Sequence, residues 1–191
     1  MGRIIVSENV SLDGVFEDPL GDEGSDIGGW FGRVSDRDRS AWAELEAAEA
    51  FDASALLLGR ATDSWFAERW ATRAGAWADR LNSMPKYVVS SSGARWAGAS
   101  VVGGDVVEAV SRLKDEIDGD IVVYASRTLL VTLLEHDLVD ELRLIVFPVI
   151  LGSGQRLFDG VVARDGSLCL VSTRVVGDSL ALSIYARPQG S

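Results

Sequence analysis

The chain has 191 residues, 47% of them hydrophobic and 25% charged, which suits a single domain with a substantial core and excludes extensive disorder. Its 18 Lys and Arg against 29 Asp and Glu give a formal net charge of −11, which repels a nucleic-acid backbone or an anionic membrane surface, and no basic run offsets it. The solitary Cys169 cannot form an intramolecular disulfide and reads as a small core residue. No apolar stretch nears the ~20 residues of a membrane span, and the N-terminus lacks the pattern of a secretory signal. The expectation is a cytoplasmic protein without nucleic-acid or membrane partners.

In chain order, "RIIVS" at 3–7 is the first strand candidate. The Gly- and Asp-rich segment 13–29 is long for a loop in a compact domain and suggests a lid on the substrate side as readily as an insert. Its carboxylates lack the spacing of a calcium-binding EF-hand loop and are assigned to solvating it. "RDRSAWAELEAAEAF" follows as a helix, with Glu46 and Glu49 given to its solvated face. Strands then come at 55–59, 86–90, 100–103, 120–125 and 141–147. Val106, Val107, Val110, Leu113 and Ile117 share one face of a helix closed by Gly119, and Ser126 opens another as N-cap. Alternating strands and helices predict a mainly parallel sheet covered on both faces. The alternating runs around Gly177 and Asp178 add a C-terminal antiparallel hairpin, so the sheet is mixed.

Three strands end alike. "LLLGRAT" runs into Gly59, Arg60 and Thr62, "YVVSSSG" into Ser90, Ser91 and Ser92, and "VVYASRT" into Ala125 and Ser126. In open α/β sheets ligands lie beyond the carboxyl ends of strands, where helix N-termini offer free N–H groups to phosphate oxygens. A dinucleotide suits that mouth. Each signal alone has a plainer reading: Gly59 as a tight turn, Ser126 as an ordinary cap. No GxGxxG follows a strand, so the site is not of the usual Rossmann type. A single histidine, His136, leaves no zinc cluster and no Ser-His-Asp set, and no metal site is expected.

"VSENVSLDGVFEDP", "LLLGRAT", "NSMPKYVVSS", "LKDEIDGDIVVYAS" and "HDLVDELRLIVFPVILGSGQRLF" resemble the dihydrofolate reductase-like proteins related to the reductase domain of the bifunctional riboflavin-biosynthesis deaminase-reductase. The likeness runs over roughly residues 3 to 186, without the deaminase zinc motifs. It implies a three-layer α/β fold, NADPH across the strand ends, a small-molecule substrate and a homodimer. Carried over, Gly59, Arg60 and Thr62 meet the cofactor phosphates, Ser90, Ser91 and Ser92 the adenosine ribose and 2′-phosphate, and Ala125, Ser126, Arg127, Thr128 and Leu129 the pyrophosphate. Two positions depart from the family: Ser91 stands where an arginine is common, and Ala125-Ser126 where Gly-Ser or Gly-Gly is usual. The first leaves NADPH over NADH open, with Arg95 and Arg127 as nearby sources of positive charge.

Hydride transfer also needs a proton for the acceptor's heteroatom. Asp13, in "SLDG", is the candidate donor, with a turn-forming role as its other reading. Trp30, Trp65 and Phe147 are candidate substrate contacts, and Trp42, Trp70, Trp77 and Trp96 are assigned to core or interface. The reductase reading, for a ribosylaminopyrimidine-type substrate or a dihydrofolate or pterin, stands beside a catalytically silent dinucleotide-binding module.

Overall fold

The computed structural model describes residues 1–162 and 167–188. Parts of the single-domain span 1–191 therefore lie outside the described residues, at 163–166 and 189–191. The first strand, β1 (Arg3–Ser11), carries the β-branched run Ile4, Ile5 and Val6, buried on both faces as a strand covered by helices on each side requires. Then come α1 (Asp36–Asp52), β2 (Ala55–Gly59), α2 (Arg60–Trp70), α3 (Ala76–Ser83), β3 (Lys86–Val89) and β4 (Ala99–Val102). The chain continues through α4 (Val106–Glu116), β5 (Asp120–Tyr124), α5 (Arg127–Glu135), β6 (Glu141–Phe147), β7 (Cys169–Val176) and β8 (Leu180–Ala186).

The strands form one sheet in the order β4-β3-β2-β5-β1-β6-β8-β7. It is parallel as far as β6, and β8 and β7 close it antiparallel, giving the mixed, mainly parallel three-layer α/β fold expected. Alternation along β1 separates two cores. Ile4, Val6 and Val10 face α4 and α5 with Val110, Leu130 and Leu133, whereas Ile5 faces the α1–α3 side with Ala50, Trp70 and Leu81. A third cluster, Trp30, Phe147, Ile145 and Leu182, lies under the hairpin.

Local chemistry fixes the element ends. Ser35 caps α1 by accepting the Asp38 N–H at 3.0 Å, and the Asp38 carboxylate accepts the Ser35 N–H in return. That same carboxylate accepts the N–H groups of Asp178 (2.6 Å) and Ser179 (2.9 Å) and the Ser179 hydroxyl, so it ties the head of α1 to the β7–β8 turn. Its burial works against ionisation, but these donors outweigh it and hold its pKa well below the carboxylate range. Gly177 is required there: its φ is 66°, and a Cβ would come within 2.5 Å of Asp38 Oδ1.

Two local expectations fail, and one further helix is present. Cys169 is exposed at the start of edge strand β7 instead of buried, because β7 has a neighbour on one side alone. Helix α3, short and preceded by Gly75, was not foreseen. Glu46 and Glu49 are buried, not solvated, because their side of α1 turns to the sheet. His136 ends α5 as its C-cap residue.

Candidate functional site

Strand β5 pairs with β1 as far as Ser7–Tyr124, and β1 then runs on to Ser11 beside β6. On the other side β5 pairs with β2 over two positions, Ala55–Ile121 and Leu56–Val122. The sheet therefore splays at its carboxyl end around β5. A cavity of about 960 Å³ opens in that gap and reaches both faces of the sheet. Its size is at the upper end of ligand pockets.

One part of its wall is built from the heads of two helices. Gly59, Arg60 and Thr62 lead into α2, and Ala125, Ser126, Arg127, Thr128 and Leu129 lead into α5; all eight residues line the cavity. Ala125 and Ser126 are both left-handed, with φ of 48° and 61°. Each non-glycine residue in that conformation costs about 1–2 kcal/mol, a strain that persists where the surroundings over-determine it. Here the lock is visible: Ser126 Oγ accepts the Gly59 N–H at 2.9 Å and lies 2.9 Å from Thr62 Oγ1. Ser126 occupies the N-cap position, but its hydroxyl does not cap α5 as the sequence suggested, because it is spent on the β2–α2 junction. Neither helix has a side-chain cap, so first-turn N–H groups of both remain available beside Arg60 and Arg127. The Arg127 guanidinium itself is turned to the carbonyls of Arg156 and Asp159.

The rest of the wall is aromatic. Phe31, Trp42, Trp65, Phe66, Trp77 and Tyr124 line it, with Phe31 edge-on to Trp42 at 4.7 Å and Phe66 stacked on Tyr124 at 6.2 Å. Trp42 is held by donation from Nε1 to Asn9 Oδ1 at 2.8 Å. The 13–29 segment contributes Phe16, Asp18 and Leu20 to the wall, in keeping with the lid reading. It is shaped by Asp18, whose buried carboxylate accepts the N–H groups of Asp22, Glu23 and Ser25, and pinned by an Arg69–Asp22 ion pair. Asp18 thus organises the loop and does not merely solvate it.

Two carboxyl groups missed as site residues stand in this wall: Glu8 on β1 and Glu46 on α1. Burial, and then the neighbouring charge of Glu49, pushes the Glu46 pKa well up, with Arg143 partly opposing. Glu49 pairs with the Arg143 guanidinium at 2.6 Å. Burial followed by Glu46 raises Glu8 likewise. Both were legible as anomalies. Glu8 stands in the apolar column Ile4, Val6, Val10, and Glu46 and Glu49 continue the helical stripe begun by Trp42 and Leu45.

Other expected residues lie elsewhere. Asp13 is outside the cavity wall; its carboxylate accepts the Ser11 hydroxyl at 2.7 Å and the N–H groups of Leu151 and Gly152 at 3.1 and 2.8 Å. The Ser11 hydroxyl and those N–H groups lower its pKa to about 2, so it keeps no proton to give and acts as a loop anchor. Trp30 and Phe147 are fully buried against each other, 5.2 Å apart and edge-on, with Trp30 Nε1 donating to the Glu17 carbonyl. Phe31, one residue on from Trp30, lines the cavity instead. Trp65 lines the cavity, and so do Trp42, Trp70 and Trp77, which also pack against the buried clusters in line with their core-or-interface assignment. Ser90, Ser91 and Ser92 follow the end of β3 beyond the cavity wall, which reaches Val89, and Ser90 Oγ accepts the Ser92 N–H. The turn after them is fixed to α2 through buried Asp63, which accepts the Arg95 and Trp96 N–H groups.

A mostly parallel sheet with an antiparallel C-terminal hairpin, splayed at its carboxyl end between uncapped helix heads, defines a dihydrofolate reductase-like domain. The chain belongs to the RibD C-terminal domain family, matched over residues 3–182. It is 32% identical over 106 residues to the uncharacterized protein YyaP of Bacillus subtilis, a match covering 55% of this chain and 56% of that protein, so it spans about half the length of the curated relative. In fold it is similar to a putative riboflavin biosynthesis protein from Shewanella, with a TM-score of 0.73, 22% identity and 98% and 99% of the two chains covered. It is also similar to the dihydrofolate reductase of Enterococcus faecalis complexed with NADP(H) and RAB-propyl, with a TM-score of 0.60, 15% identity and 98% and 97% covered. Family membership supports a reductase-type function. No helix among the described residues is long and apolar enough to cross a membrane.

Proposed function

We propose that the chain is an NADPH-dependent reductase that delivers hydride to a small heterocycle, with a ribosylaminopyrimidine-type compound, as in 5-amino-6-(5-phosphoribosylamino)uracil reductases, as the first candidate. The observation that carries this is the single cavity joining two uncapped helix heads to an aromatic chamber. Such heads, each with an arginine, suit a pyrophosphate in an otherwise acidic protein. The chamber walls suit a flat ring. The residues present therefore fit a nicotinamide dinucleotide, which supplies the hydride when bound.

In this reading Gly59, Arg60 and Thr62 and the segment Ala125 to Leu129 hold the phosphates through backbone N–H groups and positive charge. The serines at 90–92, one strand further out, meet the adenosine end. Trp65 and its aromatic neighbours orient the substrate and exclude water. Glu46 keeps a proton at its carboxyl and is the group that protonates the acceptor's heteroatom, a role Asp13 cannot fill. A pterin or dihydrofolate is the second candidate, favoured by the buried carboxyls, which suit a ring edge bearing N–H groups.

Titration of the tryptophan fluorescence with NADPH, followed by NADPH oxidation against a panel of pyrimidine and pterin substrates, tests the proposal. Binding with turnover of one panel member supports it. Binding without any turnover favours the silent dinucleotide-binding module, and no binding removes the cofactor altogether.

A further inference from the structure

Glu8 is the first residue of β1 beyond the end of β5. Its backbone neighbour Ser7 is opposite Tyr124, but Ala125, which would continue the register, turns away with a φ of 48°. The side chain lies in the column of Ile4, Val6 and Val10 and lines the cavity. It is 4% exposed, and its Oε1 meets no hydrogen-bond partner among the described residues. Burial and then the nearby carboxyl of Glu46, from α1, disfavour its ionisation. A carboxylate in that position would forfeit hydration with no hydrogen bond at Oε1 in return, which favours the neutral acid. A neutral acid still has one donor and one acceptor to satisfy, side by side.

We propose that Glu8 recognises, as an uncharged carboxylic acid, the amide edge of a ligand in this cavity, its O–H donating to the ligand carbonyl and its C=O accepting the adjacent N–H. A primary carboxamide and a ring lactam both present that edge, so the ligand group is the carboxamide on a nicotinamide ring or the lactam of a substrate heterocycle. A ligand offering a cationic amidinium edge would require the ionised carboxylate and is disfavoured. The inference rests on this cavity being the nucleotide and substrate site proposed above. It explains why a glutamate is placed in an apolar column: unliganded, it is a burden on the fold.

The test exploits the likeness between a neutral acid and a carboxamide, each with one donor and one acceptor along the same edge. Wild type, Glu8→Gln and Glu8→Leu are compared by calorimetric titration with NADP⁺ and its 3-acetylpyridine analogue, which lacks the N–H. They are also compared with lumazine and its N1,N3-dimethyl derivative, with and without NADP⁺. Glu8→Gln should keep the wild-type affinity, while Glu8→Leu weakens one unmodified probe about ten- to hundredfold, the worth of one or two hydrogen bonds. The probe affected identifies the source: loss of discrimination between NADP⁺ and its analogue assigns the nicotinamide carboxamide, and between lumazine and its dimethyl form the substrate lactam. Glu8→Leu should also raise the thermal midpoint, which guards against misfolding as the cause of lost binding. The infrared C=O band of protonated carboxylic acids at neutral pH should be weaker in Glu8→Gln than in wild type, the remainder belonging to Glu46.

Equal loss in both variants, or an infrared band unchanged between wild type and Glu8→Gln, overturns the neutral-acid recognition. NADP⁺ and lumazine binding indifferent to Glu8→Leu overturns it too, while leaving the reductase reading standing. Failure of wild type to bind either probe overturns both.

Discussion

The Ser126 hydroxyl accepts the Gly59 N–H at 2.9 Å, joining residues 67 positions apart in sequence and fastening the heads of α2 and α5 to each other. Both flank the cavity, so the bond sets the spacing of the two groups of N–H donors proposed to hold the pyrophosphate. Ser126→Ala should lower stability by about 1 kcal/mol, the net worth of such a bond. It should weaken NADPH binding by more than it changes turnover at saturation. Denaturant unfolding and cofactor titration check this; unchanged cofactor affinity would remove the clamp from binding.

Glu46 should be separable as acid from Glu46 as structure. Glu46→Gln keeps the shape and removes the proton, so turnover should fall by about a hundredfold or more with little change in cofactor affinity. Stability should move the other way. A carboxyl whose pKa is raised on folding favours the folded state fully below the ordinary 4.5 and loses that contribution as pH rises through its folded value. The variant should therefore gain on wild type as pH increases, measured by thermal midpoints across pH.

Asp13 carries the opposite sign. Its pKa is lowered from 3.8 to about 2, so its contribution to stability is present above 3.8 and disappears as pH falls toward 2. Asp13→Ala should be less stable than wild type at neutral pH, with the gap closing over that window. Asp13→Asn should leave the chemical step little changed; a collapse in single-turnover rate would return Asp13 to the mechanism.

Ser91 is the position for cofactor choice. If the serine turn receives the 2′-phosphate, Ser91→Arg should tighten NADPH binding by about tenfold through a charge-assisted bidentate contact, with NADH barely affected. Parallel changes for the two cofactors, or none, would place the 2′-phosphate elsewhere.

Edge strand β7 exposes Val171 and Val175 at 61% and 66%, with Leu170 beside them. An apolar, unpaired edge invites a second copy, and we expect a homodimer through this face. Light scattering should give twice the 20.5 kDa chain mass, and Val175→Lys should reduce it to the monomer. A wild-type mass of 20.5 kDa at all concentrations would exclude the arrangement.

The alternation of β-branched runs with helical stripes determined the α/β architecture, and the paired runs about Gly177 determined the hairpin, because these depend on the local periods of side chains. Strand ends rich in Gly and Ser likewise marked Gly59 and Ala125 to Leu129, which the fold brings together in one wall. The tertiary structure decided what local patterns cannot carry. Trp30 and Phe31 are adjacent and both aromatic, and the packing of Phe147 under the hairpin draws one into the core and leaves the other in the cavity. Asp13 looks like an acid beside a turn until the Leu151 and Gly152 amides arrive from far along the chain and fix its charge. Glu8 and Glu46 stand out in the sequence as carboxyls in apolar patterns, but it is burial from several elements at once, and the pairing of Glu49 with Arg143, that raise their pKa values. A pKa is set by distances in space, and sequence spacing records those only along a single strand or helix.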